Sequence, residues 1–287
     1  MLDAVELAGV QYGPAGQRQN ARSMRYWETQ LGKLSSWHHT VPPEPREPRY
    51  WELVANSPAM AVGLRAVEAR TSVRSTYVLL AAYAVAVARV LGRNPSVAQL
   101  AVSNRFRPGF AEAVLQVSQP GICVVDAAAE TFDEVVARAM IAATTTSYFA
   151  YYDPVERDRL LDAVAERTGE PLDIGWHLND RRDLLTGQEI SGPPTREALA
   201  DALPRTKLYW DRVLPVFDGN LFIQVDGRLE PTIPGRLALD EGMPTVCMEL
   251  WTDTHRFALD QIEALAREME AVVVAAAFDA EVPTGVG

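Results

Sequence analysis

The sequence predicts a layered sandwich of α/β or α+β class, and three observations carry that expectation. Helix-period and strand-like segments are intermixed along the whole chain, the pattern of elements packed in layers about one core. Tyr77 to Ala88 is an unbroken apolar run, the signature of a helix covered on nearly every side. The last third changes to short apolar stretches separated by Gly, Pro and Asp-Gly punctuation, an antiparallel pattern. With 287 residues, 48% hydrophobic and 23% charged, the chain can bury a core that needs no covalent staples. It is read as a single unit over 1–287, with an N-terminal lead over 1–20, a proline-rich connector over 35–49 and a polar insertion loop over 179–206.

In chain order, residues 1–19 are mixed and Gly-containing and predict a short helix and a loop. Ala21 to Leu34 is helical, with Met24, Trp27 and Leu31 on one face. The stretch SSWHHTVPPEPREPR then breaks the pattern with four prolines. Tyr50 to Ala55 is strand-like, and Ser57-Pro58 opens a helix with proline in its first position. The central helix follows, with Ser75 or Thr76 as a candidate cap, Gly92 at the left-handed C-cap position and Pro95 just beyond. Val97 to Val102 reads as a strand that delivers Ser103, Asn104 and Arg105 at its end, where sites are often built.

Ile122 to Val125 is a further strand, with Pro120 upstream favouring an edge or a bulge. Thr131 and Glu134 form a capping-box pattern before a long helix, whose TTTSYFAYYDP end is expected to fray into a loop at Asp153-Pro154. Val155 to Arg167 is helical. Leu172 to Leu178 is a strand on which alternation sets His177 on the opposite face from Trp176 and Leu178. Short strands are expected at Leu221 to Val225, Arg236 to Leu239 and Val246 to Trp251, and a closing helix at Phe257 to Phe278.

Several function classes are disfavoured. A formal net charge of -11 argues against nucleic acid or an anionic membrane as partner. The central apolar run is too short to span a bilayer, which takes roughly 20 residues. Cys123 and Cys247 lie in apolar strand-like runs and read as reduced core residues. No Cys/His metal spacing, Gly-x-Ser-x-Gly, phosphate loop or dinucleotide fingerprint is present. The N-terminal residues lack a basic region followed by an apolar block, so a cytoplasmic protein is expected.

Six segments in order carry a resemblance. RYWETQL, TYVLLAAYAVAVARVLG, the strand leading to VSNRFRP, ETFDEVVARA, YYDPVERDRLLDAV and WTDTHRFALDQIEALAREME together resemble the C-terminal lobe of nonribosomal peptide synthetase condensation domains. These belong to the chloramphenicol-acetyltransferase-like superfamily. The resemblance implies a two-layer α/β sandwich, with a mixed sheet and helices packed on one side. It implies amide or ester formation from a carrier-bound phosphopantetheine thioester, or an acyl-CoA, with no bound cofactor or metal. It also implies an acyl or peptidyl carrier protein as partner, and no nucleic acid or membrane.

The family's His-His-x-x-x-Asp-Gly motif, borne by the N-terminal lobe, does not occur in this sequence. The resemblance therefore implies half of a split acyltransferase, its catalytic motif on a partner polypeptide. The alternative is a non-catalytic module that recruits a carrier protein or an enzyme. His38, His39 and His177 are the candidate imidazoles, an imidazole being the group that titrates near neutral pH. His38-His39 lacks the Asp-Gly and follows the Tyr-Trp helix rather than preceding it. Arg105 corresponds to a family arginine after the central strand, Gln119 stands where the family has an Asn-containing strand-loop, and Asp153 matches an Asp-x-Pro position loosely. With Ser103, Asn104 and His177 these are the expected cleft residues. His177 has the alternative of an ordinary strand histidine, Arg105 of a salt bridge and Asp153 of a helix cap.

Overall fold

The first hundred residues show how local chemistry sets the elements. In the computed structural model, which describes residues 3–34, 45–169, 172–182, 193–214, 219–227 and 244–287, α1 spans Ala4–Tyr12 and α2 spans Pro14–Leu31. Helix α2 thus begins seven residues before the expected Ala21. Pro14 stands at its first position, where a missing N–H costs nothing. Gly16 is required within it, since a Cβ there would lie 2.1 Å from the Gln11 carbonyl oxygen. Strand β1 is Tyr50–Ser57, and Ser57 caps α3, Pro58–Thr71, by accepting from the Met60 N–H at 2.8 Å.

Helix α4, Ser75–Leu91, ends at Gly92 with φ 64°, the left-handed cap its spacing predicts. Its start differs from expectation: Ser75 and Thr76 lie inside the helix, and the Glu68 carboxylate of α3 accepts from the Ser75 N–H at 3.1 Å. Every residue from Val78 to Val87 is buried. Large apolar side chains sealed in this way contribute about 1.5–3 kcal/mol each before the entropy of ordering is counted.

Strand β2 is Ser96–Val102 and β3 is Gln119–Val125. Helix α5, Phe132–Phe149, continues through the segment expected to fray. The reason lies in its hydroxyls: Thr145 Oγ1 and Ser147 Oγ donate back to the Ile141 and Ala143 carbonyls, and fully buried Thr146 donates to the Ile122 carbonyl of β3. Helix α6 is Pro154–Thr168 and β4 is Trp176–Asp180. The stretch read as a polar loop over 179–206 instead closes β4 and contains α7, Arg196–Ala202, capped by Thr195 and packed through Leu199 and Ala202 on Ala59, Val62 and Ala66 of α3. Strand β5, Lys207–Leu214, was not expected; its alternation is masked by Asp211 and by aromatic residues on both faces. Strands β6, Leu221–Gly227, and β7, Val246–Asp253, fall as predicted, followed by α8, Leu259–Ala276. The expected strand at 236–239, His38 and His39 lie outside the described residues.

The chain forms two units, one of residues 1–38, 97–124 and 141–174, the other of 39–96, 125–140 and 175–287. In the first, β3 is the edge strand beside β2, one of the two arrangements that Pro120 allows. In the second, the strand order is β4-β6-β7-β1-β5, with β4 parallel to β6 and the other pairs antiparallel. Helices α3 and α8 lie against one face of this sheet, and α4 packs on both of them. Trp210 donates to Glu263 of α8 at 2.8 Å, Phe257 meets the Trp176 ring, and Leu53, Leu221, Ile223 and Leu250 are sealed beneath them. Gly63 lets α3 approach α8, a Cβ there lying 2.9 Å from Val273 Cγ1. Both cysteines are free and buried. Among the described residues no single helix is long and apolar enough to cross a membrane, and no His, Cys, Asp or Glu group could hold a metal ion.

Candidate functional site

In the first unit, polar side chains converge on the backbone of residues 148–153, between α5 and α6. Asn104, fully buried and left-handed at φ 57°, donates through one Nδ2 to the Val117 carbonyl at 3.0 Å and the Ala150 carbonyl at 2.7 Å. Asparagine tolerates that backbone better than other non-glycine residues. Its Oδ1 accepts from Arg107 Nε at 2.9 Å, and Arg107 also donates to the Tyr148 carbonyl at 2.7 Å and lies 5.0 Å above the Tyr151 ring. Burial lowers the Arg107 pKa, partly offset by the neighbouring tyrosines. Ser23 of α2 donates to the Tyr151 carbonyl at 2.9 Å.

Gln119 engages both backbone groups of one residue, donating to the Tyr152 carbonyl at 2.9 Å and accepting from its N–H at 3.1 Å. Asn20 accepts from the Asp153 N–H at 2.8 Å, and Asp153 in turn caps α6. Arg105 wraps its own loop, donating to the carbonyls of Phe110, Ala111 and Ala113. Ser103 is exposed. The structure therefore brings Asn104, Gln119 and Asp153 to one segment, and there they hold backbone. Burial pushes the Tyr152 hydroxyl up to about 12, with Arg157 opposing, and that hydroxyl donates to the Pro120 carbonyl at 2.6 Å.

The second unit offers a different surface. On the sheet face turned away from α3, α4 and α8, register aligns His177 with Phe222, Phe222 with Trp251, and Trp251 with Glu52. The next row aligns Asn179, Gln224 and Glu249, and beyond it Asp226, Cys247 and Asn56 are paired. His177 is half-buried, 5.9 Å from the Phe222 ring, which stacks on Trp251 at 5.1 Å. Trp251 Nε1 donates to Glu52 at 3.1 Å, and Gln224 Nε2 reaches Glu249 at 3.3 Å and Asp226 at 3.2 Å. Glu52, Glu249 and Asp226 are all buried, at 0%, 5% and 2% exposure. Burial raises the Asp226 pKa, Arg181 at 3.4 Å counters it, and Glu249 and Asp180 add to the rise. Asp180 is moved the other way: burial opposes ionisation, but hydrogen bonds from Arg182 hold it below the ordinary carboxylate value.

This face carries an imidazole, two stacked aromatic rings and an amide that bridges two carboxylates, the makings of a surface that orients a polar ligand group. His177 is its one residue singled out from sequence. The others had a partial signal in the alternation of WELVANS, LFIQVDG and CMELWTD, where polar or aromatic residues, interrupted by Val54 and Cys247, alternate with a mostly apolar face.

No protein-family model matches the chain, and no curated protein matches it. Solved structures do. The X-domain from teicoplanin biosynthesis is similar at TM-score 0.63 and 14% identity, over 98% of this chain and 59% of that one. A structure describing condensation domain-mediated chain release from the enacyloxin polyketide synthase is similar at TM-score 0.62 and 17% identity, over 96% and 51%. The teicoplanin X-domain in complex with OxyB is similar at TM-score 0.56 and 16% identity, over 98% and 57%. This chain thus spans little more than half the length of those structures. The two helix-sheet units and the mixed pairing of seven strands are the mixed α/β fold of condensation domains, of the chloramphenicol-acetyltransferase-like kind.

Proposed function

We propose that this chain is the C-terminal half of a condensation-type acyltransferase, forming an amide or ester bond from a carrier-bound thioester in nonribosomal peptide or related secondary metabolism. The observation that carries the reading is the match of nearly all of this chain to 51–59% of condensation-type chains, together with the absence of His-His-x-x-x-Asp-Gly from its sequence. The imidazole comes from a partner polypeptide. In the reaction a nucleophilic nitrogen or oxygen attacks the thioester carbonyl, the carbon–sulfur bond breaks, and the nucleophile's proton passes by way of that imidazole to the departing thiolate. This chain's contribution is a wall. His177, Asn179 and Gln224 on the polar sheet face of the second unit orient the acyl or nucleophile group.

The test mixes the chain with a separately expressed condensation half bearing the motif and an acylated carrier protein, and reads product by mass spectrometry. Turnover is expected only with both halves present. Failure of the halves to associate, or turnover indifferent to this chain, would overturn the reading.

A second reading, recruitment of a carrier protein or an enzyme without catalysis, is favoured by the likeness to an X-domain solved with OxyB. It predicts measurable affinity for such a partner and unchanged pathway turnover when His38, His39 and His177 are all replaced by alanine.

A further inference from the structure

Helix α2 presents its buried side through Ser23, Trp27, Gln30 and Leu31. On its far side stand Arg18, Arg22 and Arg25, all exposed. At 100° per residue the three fall within about 60° of arc, and at 1.5 Å per residue they cover about 10 Å of helix length. Spacings of four and three make each a neighbour of the next, an arrangement in which like charges cost helix stability. Among the described residues none of the three has a carboxylate partner, whereas Arg105 and Arg107 are engaged by carbonyls, and Arg157 and Arg167 by Asp158 and Glu28. They are not placed for the helix dipole either, since the last turn of α2 holds no basic residue. The acid of this helix, Glu28, turns to Arg167 of α6 instead.

The stripe also has an aromatic border. Gln19 and Tyr26, which flank Arg22 along the helix, reach the end of α5: Gln19 donates to the Tyr148 carbonyl at 3.4 Å, and Tyr26 stacks on Phe149 at 4.8 Å. Tyr148 is 51% exposed beside them. An arginine row edged by an exposed aromatic ring has the composition of a protein-binding surface.

From this geometry we infer that the Arg18, Arg22 and Arg25 face of α2 docks an acidic helix of a partner protein. The charge balance selects that occupant. With a net charge of -11 the chain repels an extended polyanion such as duplex DNA or an anionic bilayer. A short helix with carboxylates at i, i+4 and i+7 meets only the local positive row, within a Debye length of about 8 Å. The inference stands apart from acyl transfer, so either can fail alone.

The probe is a fluorescein-labelled helical peptide of about 20 residues carrying glutamates at i, i+4 and i+7, with a scrambled peptide of the same composition as control, read by anisotropy against the full chain. The ordered peptide should bind at least about fivefold more tightly than the scrambled one, and more weakly as salt rises. The R18E/R22E/R25E variant should lose at least about tenfold in affinity with unchanged circular dichroism, while R18K/R22K/R25K stays within about threefold. R22E alone, at one exposed position, gives the same readout if the triple variant does not fold. Equal binding by the reversed-charge variants, equal binding of the scrambled peptide, or tighter binding of duplex DNA or phosphatidylserine vesicles would overturn the inference.

Discussion

Replacing Asn104 with alanine tests the clamp on which the 148–153 segment depends. The amide is fully buried and makes three bonds, to the Val117 and Ala150 carbonyls and from Arg107 Nε. Removing it leaves two carbonyls and a guanidinium nitrogen short of a partner, at about 1–3 kcal/mol for each group that water cannot reach. Alanine must also adopt φ 57°, a further cost of about 1–2 kcal/mol. Counting the two buried carbonyls and the backbone, with Arg107 half-buried and open to water, these give an expected loss of about 3–8 kcal/mol, read as a shift of the urea midpoint at constant slope. Asn104→Gly separates the two parts, because glycine accepts the backbone conformation and loses only the bonds. It should recover about 1 kcal/mol relative to alanine. Amide hydrogen exchange would localise the effect, with protection lost first at 148–153. A loss under about 1 kcal/mol for both variants would refute the reasoning, since it would mean that the amide's bonds are replaced by water at no cost.

Three further outcomes follow from the electrostatics. Burial raises the folded pKa of Asp226, so the folded state binds its proton more tightly than the unfolded state, and stability falls as pH rises from the ordinary aspartate value near 3.9 through the raised one. Asp226→Asn should remove that decline, a gain visible as a higher thermal midpoint at pH 7 than at pH 4 relative to the parent; an equal change at both pH values would contradict it. Asp253 is the opposite case. Burial opposes its ionisation, but Arg49 donates to both its oxygens at 2.8 and 2.6 Å and holds its pKa down, so the stability it contributes is present above about pH 3.9 and is lost as pH falls through the lowered value. Arg49→Ala should make that acid limb shallower by about 1 kcal/mol or less, Arg49 being itself 42% exposed to screening solvent, and an unchanged limb in acid titration of unfolding would count against the pair. Burial pushes the Cys123 thiol up to about 12, so a thiol-specific chromogenic reagent at pH 8 should label it only on unfolding, and labelling of the native chain faster than unfolding would show that the site is open.

What the sequence disclosed of the fold, and what it concealed, divides by the range of the physics involved. Gly92 and Ser57-Pro58 mark the helix boundaries they predict, because a left-handed cap and a proline at the first helical position are local effects. Helix α5 runs past its expected end because Thr146 finds the Ile122 carbonyl across 24 residues, a partner that no window of sequence displays. The start of α2 is hidden by glycines that ordinarily mean a loop, while Gly16 is there because the Gln11 carbonyl leaves no room for a side chain. At the candidate site, alternation placed His177 opposite Trp176 and Leu178, as the burial pattern shows. Its row with Phe222, Trp251 and Glu52 depends on register across four strands, two of them parallel, and parallel pairing of segments 45 residues apart is not written in either segment.

Asn104 and Gln119 illustrate why a site inferred from residue type differs from one inferred from geometry. Both are the uncharged amides that a substrate cleft uses, and both stand where a strand meets a loop. Yet each amide holds backbone on the far side of a turn, Asn104 at Ala150 and Gln119 at Tyr152. The amides on the sheet face of the second unit are spent differently. Gln224 reaches two carboxylate-bearing side chains, and a side-chain network can be rearranged around a ligand more cheaply than a backbone clamp can be undone. If the two sets play the roles assigned to them, Gln119→Leu should lower stability and acyl transfer together, whereas Gln224→Leu should change transfer in the reconstituted two-half enzyme while the urea midpoint moves far less. Coincident losses in both variants would mean that the polar face, too, is only holding the fold together.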